Sequence, residues 1–213
     1  MTDYVPQVDK THYGAKYRGR DRWLSYYYQL ELVRSCAPAS VLEVGPGEGV
    51  VTENLRRDGV RVVTCDIAED LHPDVVGSIV ALPCKDGEFE VSLAAEVLEH
   101  IKFDDVPQAL HELRRVSTKH VVISLPHPGW VFSLSVKLPL LPYLTFFFQI
   151  PFFWQTHRFN GEHYWELGKR GYPVKRFVDC ARTQGLALVQ SVKYSDDPVH
   201  RLFVFSKDAP ATN

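Results

Sequence analysis

Val41-Leu-Glu-Val-Gly-Pro-Gly-Glu-Gly49 reads as a strand running into a tight turn. Val41, Leu42 and Val44 are apolar, and Gly45, Gly47 and Gly49 follow at every second position. The helix-like run Val50-Val-Thr-Glu-Asn-Leu55 comes next. Glycines let a backbone turn sharply and approach a ligand closely, because no Cβ intervenes. A dinucleotide fingerprint places its third glycine one position later, where this chain has Val50. The loop also lacks the Gly-Lys-Ser/Thr ending of a triphosphate cradle. Arg61-Val-Val-Thr-Cys65 reads as the next strand and ends in Asp66, twenty-one positions after Gly45. At that spacing a carboxylate accepts both hydroxyls of a ribose. Loop and carboxylate together describe a nucleoside site without a phosphate-gripping loop.

Strand and helix signals alternate outward from this stretch. Strands are expected near 40–44, 61–65, 75–79, 90–95 and 119–125, and helices near 49–58, 104–117 and 173–184. The helix at 104–117 has the clearest periodicity, with Val106, Ala109, Leu110, Leu113 and Val116 at steps of three and four. Such alternation predicts a parallel sheet with helices on both faces. Near the end, 186–194 and 200–206 are joined by a short Ser-Asp-Asp-Pro turn and must pair antiparallel. Ahead of the core, 21–36 reads as a helix behind a tyrosine-rich leader containing Tyr13 and Tyr17.

The ordered set comprises Glu43 with its glycines, Asp66, Leu82-Pro83, Asp86-Gly-Glu-Phe-Glu-Val91 and Ala95-Glu-Val-Leu-Glu-His100. It resembles the class I S-adenosylmethionine-dependent methyltransferases over roughly 40–126. The resemblance implies an α/β, Rossmann-like doubly wound sheet, mostly parallel and closed by a C-terminal antiparallel hairpin. It also implies S-adenosylmethionine as cofactor. By resemblance, Gly45, Gly47 and Gly49 face the methionine end, and Glu43 holds the loop and meets the ammonium. Asp66 binds the ribose, and Ile67 packs on the adenine. Where such proteins often have an aspartate, this chain has Ser78, so the adenine contact is expected from Ser78, Ile79 and nearby backbone. Ala95 and Glu96 complete the cofactor set at the carboxyl end of a strand, where ligands of open α/β sheets gather.

His127 follows the fifth strand in Ser124-Leu-Pro-His-Pro128, and its imidazole titrates near neutrality, so it is expected to deprotonate an attacking hydroxyl. Glu99 and His100 are expected to cap the following helix and steady the loop. His163 is a second catalytic candidate within His157-Arg-Phe-Asn-Gly-Glu-His-Tyr-Trp-Glu166. That polar, aromatic stretch reads either as an acceptor pocket or as a buried network bracing its segment.

The alternation stops at 128–172, read as an insertion in a single domain spanning 1–213, with 1–36 as its leader and first helix. Residues 130–154 are almost wholly apolar, but Pro139, Pro142, Pro151, Lys137 and Gln149 interrupt any spanning helix. A lid or interfacial segment is expected, which points to a small, hydrophobic or lipid-linked acceptor, glycans included, and to peripheral membrane contact through 130–154. The alternative is a non-catalytic S-adenosylmethionine-binding protein whose insertion docks a partner or a membrane. With 24 Lys and Arg against 26 Asp and Glu, no global field attracts nucleic acid. Cys36, Cys65, Cys84 and Cys180 are scattered, so packed thiols of a cytoplasmic protein are expected and no metal.

Overall fold

The computed structural model describes residues 4–7, 19–140 and 143–207. Tyr13, Tyr17, Pro142 and the final six residues lie outside them. The main sheet contains β1 (Ser40–Val44), β2 (Arg61–Asp66), β3 (Val75–Val76), β4 (Phe89–Ala95), β5 (Ser117–Pro126), β8 (Ala187–Val192) and β9 (His200–Ser206). Its spatial order is β3-β2-β1-β4-β5-β9-β8. Pairing is parallel from β3 to β5 and antiparallel across β5, β9 and β8.

Side chains alternate across each strand, so the sheet needs cover on both faces. Val41, Val62, Val91 and Val122 turn toward α1 (Arg20–Ser35) and α2 (Val50–Arg57), meeting Leu30, Val33, Val51 and Leu55. Leu42, Val44, Ile123, Phe203 and Phe205 turn toward α3 (Val106–Val116) and α4 (Val174–Thr183). The five periodic residues of α3 are all completely buried, as their spacing predicts. The third strand is shorter than the expected 75–79. At Gly77 the chain runs so close to Pro83 that an added Cβ would lie 2.5 Å from its Cδ, and pairing ends there.

The insertion holds two strands not visible in the sequence pattern. β6 (Gly129–Lys137) and β7 (Tyr143–Pro151) form an antiparallel hairpin that is a sheet of its own. Phe132 faces Phe148 and Leu134 faces Phe146 across it. With Trp130 these side chains share one face, and that face is exposed, Phe146 to 72%. Ser133, Ser135, Thr145 and Gln149 point the other way, alternating with the apolar side chains as strand geometry dictates. Apolar Val131 and Phe147 on that second face hide the alternation from a reading by composition. At the root, a Cβ on Gly129 would lie 2.5 Å from the Ile150 carbonyl, so the strands there meet only because residue 129 is glycine. No helix among the described residues is long and apolar enough to cross a membrane.

Arg115 on α3 fixes the loop that carries the sheet edge back to β4. Its guanidinium donates to both oxygens of Glu112 at 2.8 Å, to the Leu82 and Cys84 carbonyls at 2.9 and 2.8 Å, and to Asp86 at 2.7 Å. Glu112 in turn accepts the Leu82 N–H at 2.8 Å. These bonds to Arg115 hold the Glu112 carboxyl below its ordinary value. Arg115→Met leaves a buried carboxylate without its partner, and we expect a loss of about 3 kcal/mol at neutral pH by denaturant unfolding. A depressed carboxylate pKa gives stability that is complete above the unfolded value and fades as pH falls through the folded one. The gap between variant and wild type should therefore narrow in acid.

Candidate active site

The parallel register brings the ends of β1, β2 and β4 to one level, with Val44 opposite both Cys65 and Ala94. The chain leaves these strands at Gly45, Asp66 and Glu96, and a cleft opens between the three exits. Gly45 has φ +71°, and a Cβ there would lie 2.5 Å from Val97 Cγ2, so neither conformation nor space admits a side chain. Its N–H is tied to the Cys65 carbonyl at 2.9 Å. Gly49, also left-handed, caps α2 and lines neither this cleft nor the cavity beside it. Its part is to turn the loop into the helix.

Asp66, Ile67, Gly77, Ser78 and Ile79 line one wall of the cleft, with Gly45 and Glu96 on the other. Asp66 Oδ1 accepts the Ala68 N–H at 2.8 Å, which orients the carboxylate at the strand end. Burial raises its pKa, and the N–H groups of Ala68 and Ile67 oppose the rise. The Ser78 hydroxyl is engaged with the Val80 N–H at 3.5 Å, so this wall is less charged than an aspartate would make it. Glu43 lies beneath the loop, 4% exposed, and takes a short hydrogen bond from the Thr52 hydroxyl of α2. Burial pushes its carboxyl up to about 7, against Thr52 and Arg56. Through Thr52 it ties the glycine turn to its helix, while its carboxylate also reaches the neighbouring cavity.

Sequence reading missed the roof of this cleft. Tyr4, Val5, Pro6 and Gln7 lie across it. Tyr4 donates a short bond to Asp105 and accepts the Lys102 N–H at 3.0 Å. Gln7 donates to the His100 carbonyl at 3.0 Å and faces His100 Nδ1 with its own carbonyl oxygen at 2.7 Å. Aromatic residues in the leader were the only hint, since these contacts span some ninety positions.

A second cavity adjoins the first and shares Gly45, Glu96 and His100 with it. Glu43, Gly47, Ala95, Glu99, Pro126, Pro128, Glu162, His163, Glu166 and His200 complete most of its wall, with Arg22 and Tyr26 from α1. Glu96 stands at the junction with φ +55°, a strained conformation for a residue with a side chain, and accepts the Ser124 hydroxyl. His200 is placed by Asp197, whose carboxylate is 2.7 Å from Nδ1, while Nε2 lies 3.5 Å from Glu96. Burial opposes a charge on His200, but Glu96 and Asp197 outweigh it and raise its pKa. Sequence reading did not select His200, which looks like any residue at the start of a terminal strand.

The segment at 157–166 is both lining and brace. His163 and Glu166 reach the cavity, and His163 Nδ1 is 3.2 Å from the Glu166 carboxylate. Burial works against ionised Glu166, yet His163, Lys169 and His157 hold its carboxyl down at about 2. Behind them, the His157 ring donates to the His163 carbonyl at 2.9 Å. Trp165 is fully buried, and its indole N–H donates to the Leu98 and Ile101 carbonyls at 3.1 and 3.2 Å. Tyr164 donates its N–H to the Glu99 carbonyl at 2.8 Å. These bonds clamp the insertion onto the turn Leu98–His100.

Two expectations need correction. His127 lines neither cavity and is 3% exposed. Its Nδ1 accepts from Arg201 at 3.1 Å and its ring packs on Gly168. Burial, with Lys193 and Arg201 nearby, lowers its pKa to about 3, too low for a general base near neutrality. Its carbonyl takes bonds from Gln149 and Lys193, so the residue anchors the hairpin root. Glu99 does not cap a helix: α3 begins at Val106, and both Glu99 oxygens lack a hydrogen-bond partner among the described residues.

Comparison with known proteins agrees with this fold. No curated protein sequence matches the chain. The 1,6-didemethyltoxoflavin-N1-methyltransferase of Burkholderia thailandensis, solved with 1,6-didemethyltoxoflavin and S-adenosylhomocysteine, superposes with a TM-score of 0.61 at 17% identity. That match covers 94% of this chain and 87% of the other. Streptomyces venezuelae DesVI gives 0.60 at 15% identity over 95% and 99% of the two chains. Magnesium protoporphyrin IX methyltransferase from Synechocystis PCC 6803, with bound S-adenosylhomocysteine, gives 0.60 at 10% over 88% and 84%. Residues 42–124, which carry the glycine turn, Asp66 and Glu96 to His100, match the family model of a methyltransferase domain.

Proposed function

We propose that the enzyme O-methylates a small hydrophobic acceptor held in the cavity beyond Glu96, with the hairpin face receiving an apolar or lipid-linked part of it. The observation that carries this reading is the meeting of two cavities at Gly45, Glu96 and His100. One has the glycine turn and Asp66 suited to the methyl donor, and the other has the titratable groups an acceptor hydroxyl needs. The donor supplies an electrophilic methyl on a sulfonium. As the acceptor oxygen forms its bond to that methyl, the carbon–sulfur bond breaks and its electron pair stays on sulfur. The hydroxyl proton passes to His200, which Asp197 orients as a base is oriented by a third group. Alignment and exclusion of water supply most of the remaining rate enhancement.

The hairpin supports the hydrophobic half of the reading. Its root strands leave β5 beside Pro126 and Pro128, which line the acceptor cavity. Its exposed apolar face is too continuous for a surface without an occupant. Resting against a membrane, it would present a lipid-linked acceptor to the cavity.

Three outcomes test the proposal. Asp66→Ala should weaken S-adenosylhomocysteine binding by at least about tenfold in calorimetry, because charge-assisted bonds to ribose contribute roughly 1.5–3 kcal/mol each. Unchanged affinity would remove Asp66 from the cofactor site. For His200, the base must be neutral, so kcat/KM should rise with pH through a value above the usual imidazole pKa. Asp197→Asn removes one of the groups that raise it, and the acid limb should move to lower pH. A limb that stays in place rules out His200.

Replacing Phe132, Phe146 and Phe148 together by serine should leave the melting temperature nearly unchanged, since all three rings are exposed. It should abolish transfer of labelled methyl to the lipid-extractable fraction of a lysate, each ring representing roughly 1.5–3 kcal/mol of contact. S-adenosylhomocysteine affinity should stay within about threefold. Full transfer by the variant would detach the hairpin from the acceptor.

A further inference from the structure

We propose that Glu99, His100 and His163 form a binding site for one divalent cation of the zinc or manganese kind, open toward the acceptor cavity. One ligand atom from each residue lies within 4.8 Å of the other two. Two nitrogens and one carboxylate oxygen suit such a cation, and three protein ligands with open positions are the pattern of a catalytic rather than a structural site.

Three further observations point the same way. Glu99 is fully buried, lines the cavity, and has no hydrogen-bond partner for either oxygen among the described residues. A buried carboxylate ordinarily finds a partner, so an unsatisfied one aimed into a polar cavity marks a missing ligand. Next, both imidazoles are oriented from behind. His100 Nδ1 faces the Gln7 side-chain oxygen at 2.7 Å and the Glu162 carbonyl at 3.2 Å. The Gln7 amide is itself fixed, because its nitrogen donates to the His100 carbonyl. Nδ1 must then carry the proton, which leaves the Nε2 lone pair free. His163 Nδ1 stands against the Glu166 carboxylate at 3.2 Å, the carboxylate–histidine arrangement that commonly supports a metal-bound imidazole. Finally, the scaffold is rigid where ligands from distant segments must meet. The Tyr164 N–H and the Trp165 indole bind the carbonyls of Glu99, Leu98 and Ile101, fixing His163 against Glu99.

The site borders the junction with the methyl-donor cleft, since His100 and Glu96 line both cavities. A cation there would act as a Lewis acid toward an acceptor oxygen and ease loss of its proton. That consequence rests on the methyl-transfer reading above; cation binding itself does not.

The test uses the full chain, freed of metal with a chelator and titrated with Zn2+ by calorimetry, and separately with Co2+ followed by visible absorption. We expect one equivalent bound with a Kd below about 10 µM. Glu99→Gln and His163→Asn should each weaken binding by at least about tenfold and change the Co2+ spectrum. His72→Ala, remote from the site, should bind as wild type does. S-adenosylhomocysteine affinity of Glu99→Gln should stay within about threefold, separating loss of the cation from damage to the donor cleft. The absence of a stoichiometric site in the wild-type chain, or unaltered binding in both ligand variants, would overturn the proposal.

Discussion

Both cavities depend on the parallel pairing of β1 between β2 and β4. Because β1 shares its register with both neighbours, Gly45, Asp66 and Glu96 leave the sheet at one level. Backbone hydrogen bonds fix that level, and the buried apolar side chains of both sheet faces keep it from slipping, since a one-residue slip would turn each face inside out. The Gly45 N–H bond to the Cys65 carbonyl extends the ladder into the loop itself. A ligand at these strand ends therefore meets groups held by the core.

Against this apolar support stands a concentration of carboxylates. Glu43, Glu96, Glu99 and Glu166 lie around one cavity, and each is treated differently by its surroundings. Glu43 is satisfied by a hydroxyl and driven toward neutrality by burial. Glu166 is held ionised by Lys169 and two histidines. Burial and the nearby Glu96 push Glu99 well above the ordinary carboxylate range. The separation of these environments allows acidic groups to crowd one cavity without a uniform negative charge.

The cleft around Gly45 and Asp66 was legible in the sequence because its signals are local. Three glycines, an acid two positions before them and Asp66 at a fixed distance all belong to one strand-turn-helix-strand unit. The second cavity was not legible, since His163 and Glu99 are sixty-four positions apart and meet only through Trp165 and Tyr164. His127 misled for a related reason. Its place after β5 was right, but two cations and Gly168 turned the ring into the hairpin root. The hairpin was missed because apolar residues also stand on its second face and blur the period of two.

β6 and β7 pair only with each other, so the hairpin takes no part in the hydrogen bonding of the seven-stranded sheet. Its outer rings add little to the buried core, and most substitutions there leave folding stability nearly as it was. Gln149 at its base is held by the main body, through the His127 and Pro198 carbonyls and Lys193, while Gly129 lets the two strands meet there. Sequence drift beyond that base is thus decoupled from the requirements of the core. A lineage carrying this fold can change the hairpin face rapidly while the strand-end geometry stays constant, and a transplanted hairpin needs to match only its base.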